Sequence, residues 1–370
     1  MTQASARAIA VIGAGNGGFA AAADLGRRGF DVRLWGRSEA TIDPVRAQGG
    51  IEYAGALGEG LQPVAAVTTD LAAAIAGADI VMICVPTQAH AEIAALVAPC
   101  LADGQIVFAA PGHTVLLIPN TLRAHGVRRP VTCETGTLPY ICRKDGPGRI
   151  RITKAAQYLP FAVFPARETE RVHAAVRDAY PVIQPVANVL GTVFPYTNAI
   201  HHPPAALCNV GRIEATKGDY YHYYDGISPS VGRLIDALDV ERRAVGAALG
   251  VAVTPFVEHF HRMGYTTEAA RASGLAFEAF HQSEPDRWIR APGSIRHRFF
   301  DEDIPFGLVP LAELGRLGGV ATPAMDHLIQ LASIATGHDY RTHGLTLARM
   351  GLAGVGRDGL DRLLTDGFLD

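Results

Sequence analysis

A glycine pattern near the start of the chain narrows the fold more than any other feature. Gly13-Ala14-Gly15-Asn16-Gly17-Gly18 reads GxGxxG, with an apolar run at 8–13 before it and an alanine-rich stretch at 19–28 after it. Forty glycines in 370 residues make the pattern by itself a weak signal. Its position between an expected strand and an expected helix gives it physical meaning. Gly13 permits the tight turn, Gly15 lets the backbone approach a pyrophosphate, and Gly18 lets the helix pack close to the strand. The helix start, with Asn16 in the loop, offers unpaired N–H groups to phosphate oxygens. An ordinary glycine turn in an α/β domain is the plainer alternative.

The rest of the first half supports the nucleotide reading. Strand-like runs at 8–13, 31–36, 63–68, 79–85, 105–109 and 130–133 alternate with helical segments at 19–28, 71–76 and 89–101. Such alternation predicts a Rossmann-type α/β fold, a doubly wound parallel sheet with helices on both faces. Residues 148–154 and 162–166 are expected to extend that sheet, with a helix at 167–179. From about residue 195 the pattern turns helical. Pro203 and Pro204 open a run that stops at Gly218, and helices are expected at 231–249, 266–283, 308–317 and 323–336. The expected division is a dinucleotide-binding domain at 1–190 and an all-helical substrate domain at 191–370, packed closely around one cleft.

The second strand ends in Trp35-Gly36-Arg37. An NAD-selective site places a carboxylate there, on the ribose 2′-hydroxyl. Its absence removes a repulsion, and Arg37 can pair with a 2′-phosphate, so NADP(H) is favoured with NAD(H) left open. A merely solvated Arg37, or one stacked on adenine, stays open too. The turn Val85-Pro86 follows the fourth strand, and Pro86 is expected beside the cofactor because ligands meet open α/β sheets at the carboxyl ends of strands. His90, just beyond, reads as polar lining or as a solvent-facing helix start.

In the second half, Asn198-Ala199-Ile200-His201-His202-Pro203-Pro204 carries the acid–base candidates. A helix beginning at Pro203 puts His202 at its positive end, which disfavours imidazolium, while a nearby carboxylate favours it and orients the ring. Asn209, two turns on, is expected on the same side, lining the pocket. His201 is the rival. His222, His259, His261 and His281 read as surface or packing residues, and no metal-ligand spacing appears, so no metal is expected. Arg296-His297-Arg298-Phe299-Phe300-Asp301-Glu302-Asp303-Ile304-Pro305 offers carboxylates, or is simply a solvated charged turn. The run Tyr220-Tyr221-His222-Tyr223-Tyr224 reads as a pocket or domain-interface loop, with a protein-interaction surface as the alternative.

Thirty-three Lys+Arg against 36 Asp+Glu give a net charge of −3 without a basic run, which argues against nucleic acid. No stretch of 18 apolar residues predicts a membrane span, and the N-terminus lacks the pattern of a signal peptide. Five cysteines without CxxC spacing fit reduced thiols in a cytoplasm.

Over nearly its full length the chain resembles the opine dehydrogenases, the octopine/nopaline dehydrogenase family. The likeness rests on GxGxxG, on the segment from Asn198 to Pro203, and on Ser228-Pro229-Ser230-Val231 and Asp239-Val240-Glu241-Arg242. It continues through Arg298 to Pro305, Gly307-Leu308-Val309-Pro310 and Gly319-Val320-Ala321-Thr322-Pro323. The resemblance implies NAD(P)H-dependent joining of an amino acid to an α-keto acid. It implies His202 as catalytic histidine, Asp303 as its carboxylate partner, and Arg298 as the anchor of a substrate carboxylate. It also implies Glu134 near the amino-acid substrate, where a structural turn is equally open. Direct reduction of a keto acid to a hydroxy acid by the same dyad is the alternative activity, and a non-catalytic NADP(H) sensor the alternative class. Monomer and homodimer both remain open.

Overall fold

The computed structural model describes residues 7–368. These divide into two compact units, one running to Val193 and resuming at Asp358, the other spanning Phe194–Arg357.

The first unit contains twelve strands: β1 (Ala8–Ile12), β2 (Asp31–Trp35), β3 (Ile51–Gly55), β4 (Gly60–Gln62), β5 (Ala66–Thr68), β6 (Ile80–Ile83), β7 (Ile106–Ala109), β8 (Thr132–Thr135), β9 (Tyr140–Gly146), β10 (Arg149–Ala155), β11 (Leu159–Phe164) and β12 (Ile183–Pro185). Eight form one sheet in the order β12-β11-β8-β7-β6-β1-β2-β5. Every neighbouring pair is parallel except β8 with β11. Its central strands, β6 (IVMI) and β7 (IVFA), are buried along their whole length, as strands covered on both faces require. The strand order reverses between β1 and β6, so the crevice beyond their carboxyl ends is where such a sheet takes a ligand. The glycine loop leaves β1 there.

Residues 148–154, expected to extend this sheet, belong instead to a second, four-stranded sheet ordered β4-β3-β10-β9. Ile150 and Ile152 are buried while Arg151 between them is exposed. Strands with one wet face suit a sheet that covers a helix on one side, not the doubly covered main sheet. This small sheet packs on the helix Asn16–Arg27, sharing one core through Phe19, Cys142, Ile150 and Ile152.

The second unit is helical, and several of the sequence motifs prove to be its fastenings. Ser228 caps the helix Pro229–Ala248 by accepting from the Val231 N–H. Arg242, 1% exposed, is paired with Asp239 and donates to the carbonyls of Phe194 and Thr254 at 2.6 and 2.7 Å. A charge buried so deeply is tolerable only when paired and fully hydrogen-bonded. Glu241 accepts the N–H groups of Ala324 and Met325, capping the helix Pro323–Thr336. At Gly307 a Cβ would stand 2.5 Å from that of Ala199, so glycine permits the close crossing of those two segments.

Two expectations are corrected. The single helix expected from Pro203 to Lys217 is two, Asn198–Leu207 and Val210–Thr216, with both prolines inside the first. The chain's end does not belong to the helical unit. Phe368 meets Phe164 edge-on at 5.1 Å and lies under the guanidinium of Arg123, and this half-buried ring ties the tail to the first unit.

Candidate active site

In the second unit, two distant stretches of chain meet in one buried cluster. His202 Nδ1 lies 2.8 Å from Asp303 Oδ2, and His202 Nε2 lies 2.7 Å from the Tyr223 hydroxyl. Tyr196 donates its hydroxyl to the other oxygen of Asp303. Phe299 stacks on the His202 ring at 4.1 Å. Asp303 is fully buried and His202 is 7% exposed.

The backbone explains how Arg298 and Asp303, five residues apart, serve one place. Residues five apart in an α-helix lie about 140° round its axis. Here the Asp303 N–H reaches back to the Arg298 carbonyl at 3.0 Å, a widened i→i−5 turn, and residues Ile304–Leu308 continue as a π-helix. Such turns re-aim side chains and gather at functional sites. The Arg298 side chain is 49% exposed, with Nε 3.2 Å from Glu302 and a further hydrogen bond to the Tyr196 hydroxyl, and the exposed part of its guanidinium can reach a solute.

His202 sits in the second turn of its helix, not at the positive end, so the expected dipole effect is not what tunes it. Burial pushes its imidazole well below the usual range, with the charges of Arg298 and His297 adding to the effect. Burial also pushes Asp303 up to about 6, against the Tyr196 hydroxyl and the Arg298 charge. At neutral pH the imidazole is therefore uncharged and the carboxylate ionised. Nδ1–H then donates to Asp303, and Nε2 presents its lone pair to the Tyr223 O–H.

The rival His201 turns away into rings, with Phe280 at 5.2 Å, Phe256 at 5.6 Å and, among the described residues, no carboxylate partner. Asn209 spends its amide on the carbonyls of Ala205 and Gly226 at 2.8 and 2.9 Å, bracing the break between the two helices. His222, expected at the surface or in packing, is fully buried beside the dyad, 6.4 Å from His202. Residue type alone gave no reason to single out Tyr196 or Tyr223. Only the tyrosine run hinted at the latter.

In the first unit, the glycine loop has the shape that a pyrophosphate needs. Gly13 has φ +119°, and a Cβ there would stand 2.6 Å from the Cys84 carbonyl. A Cβ on Gly18 would lie 1.6 Å from the Gly13 oxygen, whereas one on Gly15 would meet nothing within 4 Å. The helix that follows has no side-chain cap and no acid in its first turn, so its positive end is left for an anion. The residues fit a dinucleotide. Arg37 is exposed, 3.1 Å from Glu92, and Pro86 lies exposed beyond the end of β6. His90 is buried against Thr114 rather than facing solvent.

Glu134 lies on β8, not in a turn. It accepts from the Thr192 hydroxyl and the His113 backbone N–H, and burial pushes it up to about 8. Between the ordinary value of 4.5 and about 8, the unfolded chain has released a proton that the folded one keeps. Rising pH therefore favours unfolding across that window, by up to about 1.4 kcal/mol per pH unit. Glu134→Gln is expected to shrink the difference in Tm between pH 5 and pH 8; an unchanged difference contradicts the assignment.

Among the described residues no group of three or more His, Cys, Asp and Glu is placed to hold a metal ion, and no helix is long and apolar enough to cross a membrane.

Residues 185–336 match the family pattern "NAD/NADP octopine/nopaline dehydrogenase, alpha-helical domain", and residues 8–112 match "NAD-dependent glycerol-3-phosphate dehydrogenase N-terminus". The chain is 33% identical over 357 residues to "Opine dehydrogenase" of Arthrobacter sp. (strain 1C), covering 96% of this chain and 98% of that protein. In fold it is similar to octopine dehydrogenase solved with NADH and L-arginine, at a TM-score of 0.77, 19% identity and 98% coverage of both chains. It is likewise similar to yersinopine dehydrogenase with NADP+ bound, at a TM-score of 0.69, 15% identity and 98% coverage of both chains.

Proposed function

The chain belongs to the octopine/nopaline (opine) dehydrogenase family, and from that premise we propose how its own residues carry the reaction. It is an NAD(P)-dependent oxidoreductase acting on CH–NH bonds, which condenses the amino group of an amino acid with an α-keto acid and reduces the imine to an N-(carboxyalkyl) amino acid. When bound, the reduced nicotinamide supplies the hydride. The observation that carries the residue assignment is the buried His202–Asp303 pair at 2.8 Å.

Arg298 grips the keto-acid carboxylate, its planar fork matching two oxygens at once. His202, neutral and directed by Asp303, takes a proton from the substrate ammonium through Nε2, freeing the amine to attack the carbonyl carbon. The imidazolium so formed lies against the Asp303 carboxylate. It returns that proton to the carbinolamine hydroxyl, which leaves as water as the protonated imine forms, ready to accept hydride and become the secondary amine. Tyr223, on Nε2, occupies the place through which the proton passes, and Tyr196 keeps Asp303 ionised and aimed. Asn209 takes no part beyond bracing. Glu134, uncharged at neutral pH by its burial, is a hydrogen-bonding group rather than an anchor for a cationic side chain.

NADP(H) is the preferred cofactor in this reading. Its support is the missing carboxylate at the end of β2 and the exposed Arg37, whose pair with Glu92 is of the exposed kind worth about 0–1 kcal/mol and so yields readily to a 2′-phosphate. A cytoplasmic setting, in keeping with five free thiols, belongs to the same proposal.

The test is a matrix of keto acids and amino acids followed by NADPH and NADH absorbance. Oxidation is expected to require both substrates, and to run at lower KM with NADPH. Oxidation by keto acid alone, unaffected by any amino acid, would refute the condensation.

A further inference from the structure

The small sheet places a charge where strand alternation calls for an apolar residue. Along β9, Tyr140 and Cys142 are buried, Ile141 and Arg143 are exposed, and Lys144 continues the inward row. Its backbone N–H donates to Oδ1 of Asn16 at 2.9 Å, fastening β9 to the first residue of the glycine-loop helix. Its ammonium stands 4.1 Å from the centroid of Phe19 and 3.4 Å from the Ala14 carbonyl oxygen, inside the loop itself. Two residues before β9, Leu138 presses on the same loop, since a Cβ on Gly17 would fall 2.7 Å from it.

Among the described residues no carboxylate pairs with this ammonium. An ammonium has three hydrogens to donate, and within the protein it meets one long contact to a carbonyl and the face of a ring, which leaves donors for water or a ligand. The side chain is half-buried, so water meets part of its charge, and an arriving anion would supply the counter-charge that the protein does not. Ala14 and Asn16 flank Gly15, the residue above which the loop is open, whereas the 2′-phosphate end of the site lies at Arg37, beyond β2.

We propose that Lys144 is a ligand of the cofactor's diphosphate, reaching it from the small sheet by swinging its ammonium off the Ala14 carbonyl. The inference rests on the cofactor reading and not on the opine reaction. It assigns the second sheet a purpose: it carries a cation to a phosphate loop that itself contains only backbone donors and Asn16.

The full-length wild type, Lys144→Met, Lys144→Arg and Arg37→Ala are titrated with NADH, NADPH and ADP-ribose by calorimetry. Lys144→Met keeps the apolar stem and is expected to weaken all three ligands by a common factor of about 10–100, the worth of one charge-assisted contact. Lys144→Arg is expected to recover most of that loss, and Arg37→Ala to weaken NADPH alone. Unchanged affinities in Lys144→Met overturn the proposal. So does a loss confined to NADPH, which would move the contact to the 2′-phosphate, and so does an equal loss in Lys144→Arg, which would mark a packing role. A wild type that binds no dinucleotide overturns the cofactor reading and the proposal together.

Discussion

His202→Ala is expected to lower kcat about 10²–10⁴-fold, the range for removal of a general acid–base group, while NADPH affinity stays at the wild-type level. The ring is poised for that loss by its surroundings. Asp303 fixes the tautomer through Nδ1, burial keeps the ring neutral, and Nε2 is left as the one basic nitrogen. His201→Ala is the internal control, because adjacent histidines would confuse a single substitution. His201 packs among Phe256 and Phe280 with no acidic partner among the described residues, so its loss is expected to lower Tm more than kcat. Steady-state rates with both substrates saturating, beside NADPH titrations, separate the two variants. Wild-type kcat in His202→Ala would end its assignment as the acid–base group.

Arg298→Ala is expected to lower kcat/KM for the keto acid about 10²-fold, with little change in the KM of the amino acid. Hydrogen bonds to charged groups contribute about 1.5–3 kcal/mol, and each 1.4 kcal/mol is a factor of ten, so loss of one bidentate carboxylate grip accounts for that magnitude. Half-exposure of the guanidinium sets the lower part of the range, since water screens part of the attraction. Arg298→Lys keeps the charge but loses the fork, and belongs between the two. A second effect distinguishes Arg298 from a remote surface charge. Its positive charge helps hold His202 down, so Arg298→Ala moves the His202 pKa upward and carries the acid limb of the pH–rate profile with it. Selective loss for the keto acid with an unmoved profile would place Arg298 at the substrate but away from the imidazole.

The parts of this molecule legible in its sequence are those set by local chemistry. Gly13 and Gly18 have no alternative at their positions, because a Cβ meets backbone in both, and so the loop could be read from residue types alone. The central strands β1, β6 and β7 stood out as short apolar runs between helical stretches. The second sheet did not, because β3 and β4 hold their form by pairing with β10 and with each other, almost a hundred residues apart in the first case. The helix start misled for a different reason. Proline at the first position is a sound local rule, yet Pro203 and Pro204 stand inside the helix, held by packing that no pattern of spacing reveals. The helices Glu39–Gln48 and Leu117–Ala124 were masked likewise by Pro44 and Pro119. Tyr196 and Tyr223 show the limit at the site itself: they reach the dyad from opposite sides, and nothing in their neighbours along the chain says so.

A double-mutant cycle on kcat across His202→Ala, Asp303→Asn and the combined variant tests the account most directly. If the carboxylate works only by orienting the imidazole and stabilising the imidazolium that forms in the reaction, the combined variant is no slower than His202→Ala alone, as for groups that act as one unit. Losses that multiply, with Asp303→Asn slowing a protein already lacking His202 by its full single-variant factor, would show two groups acting separately and contradict it.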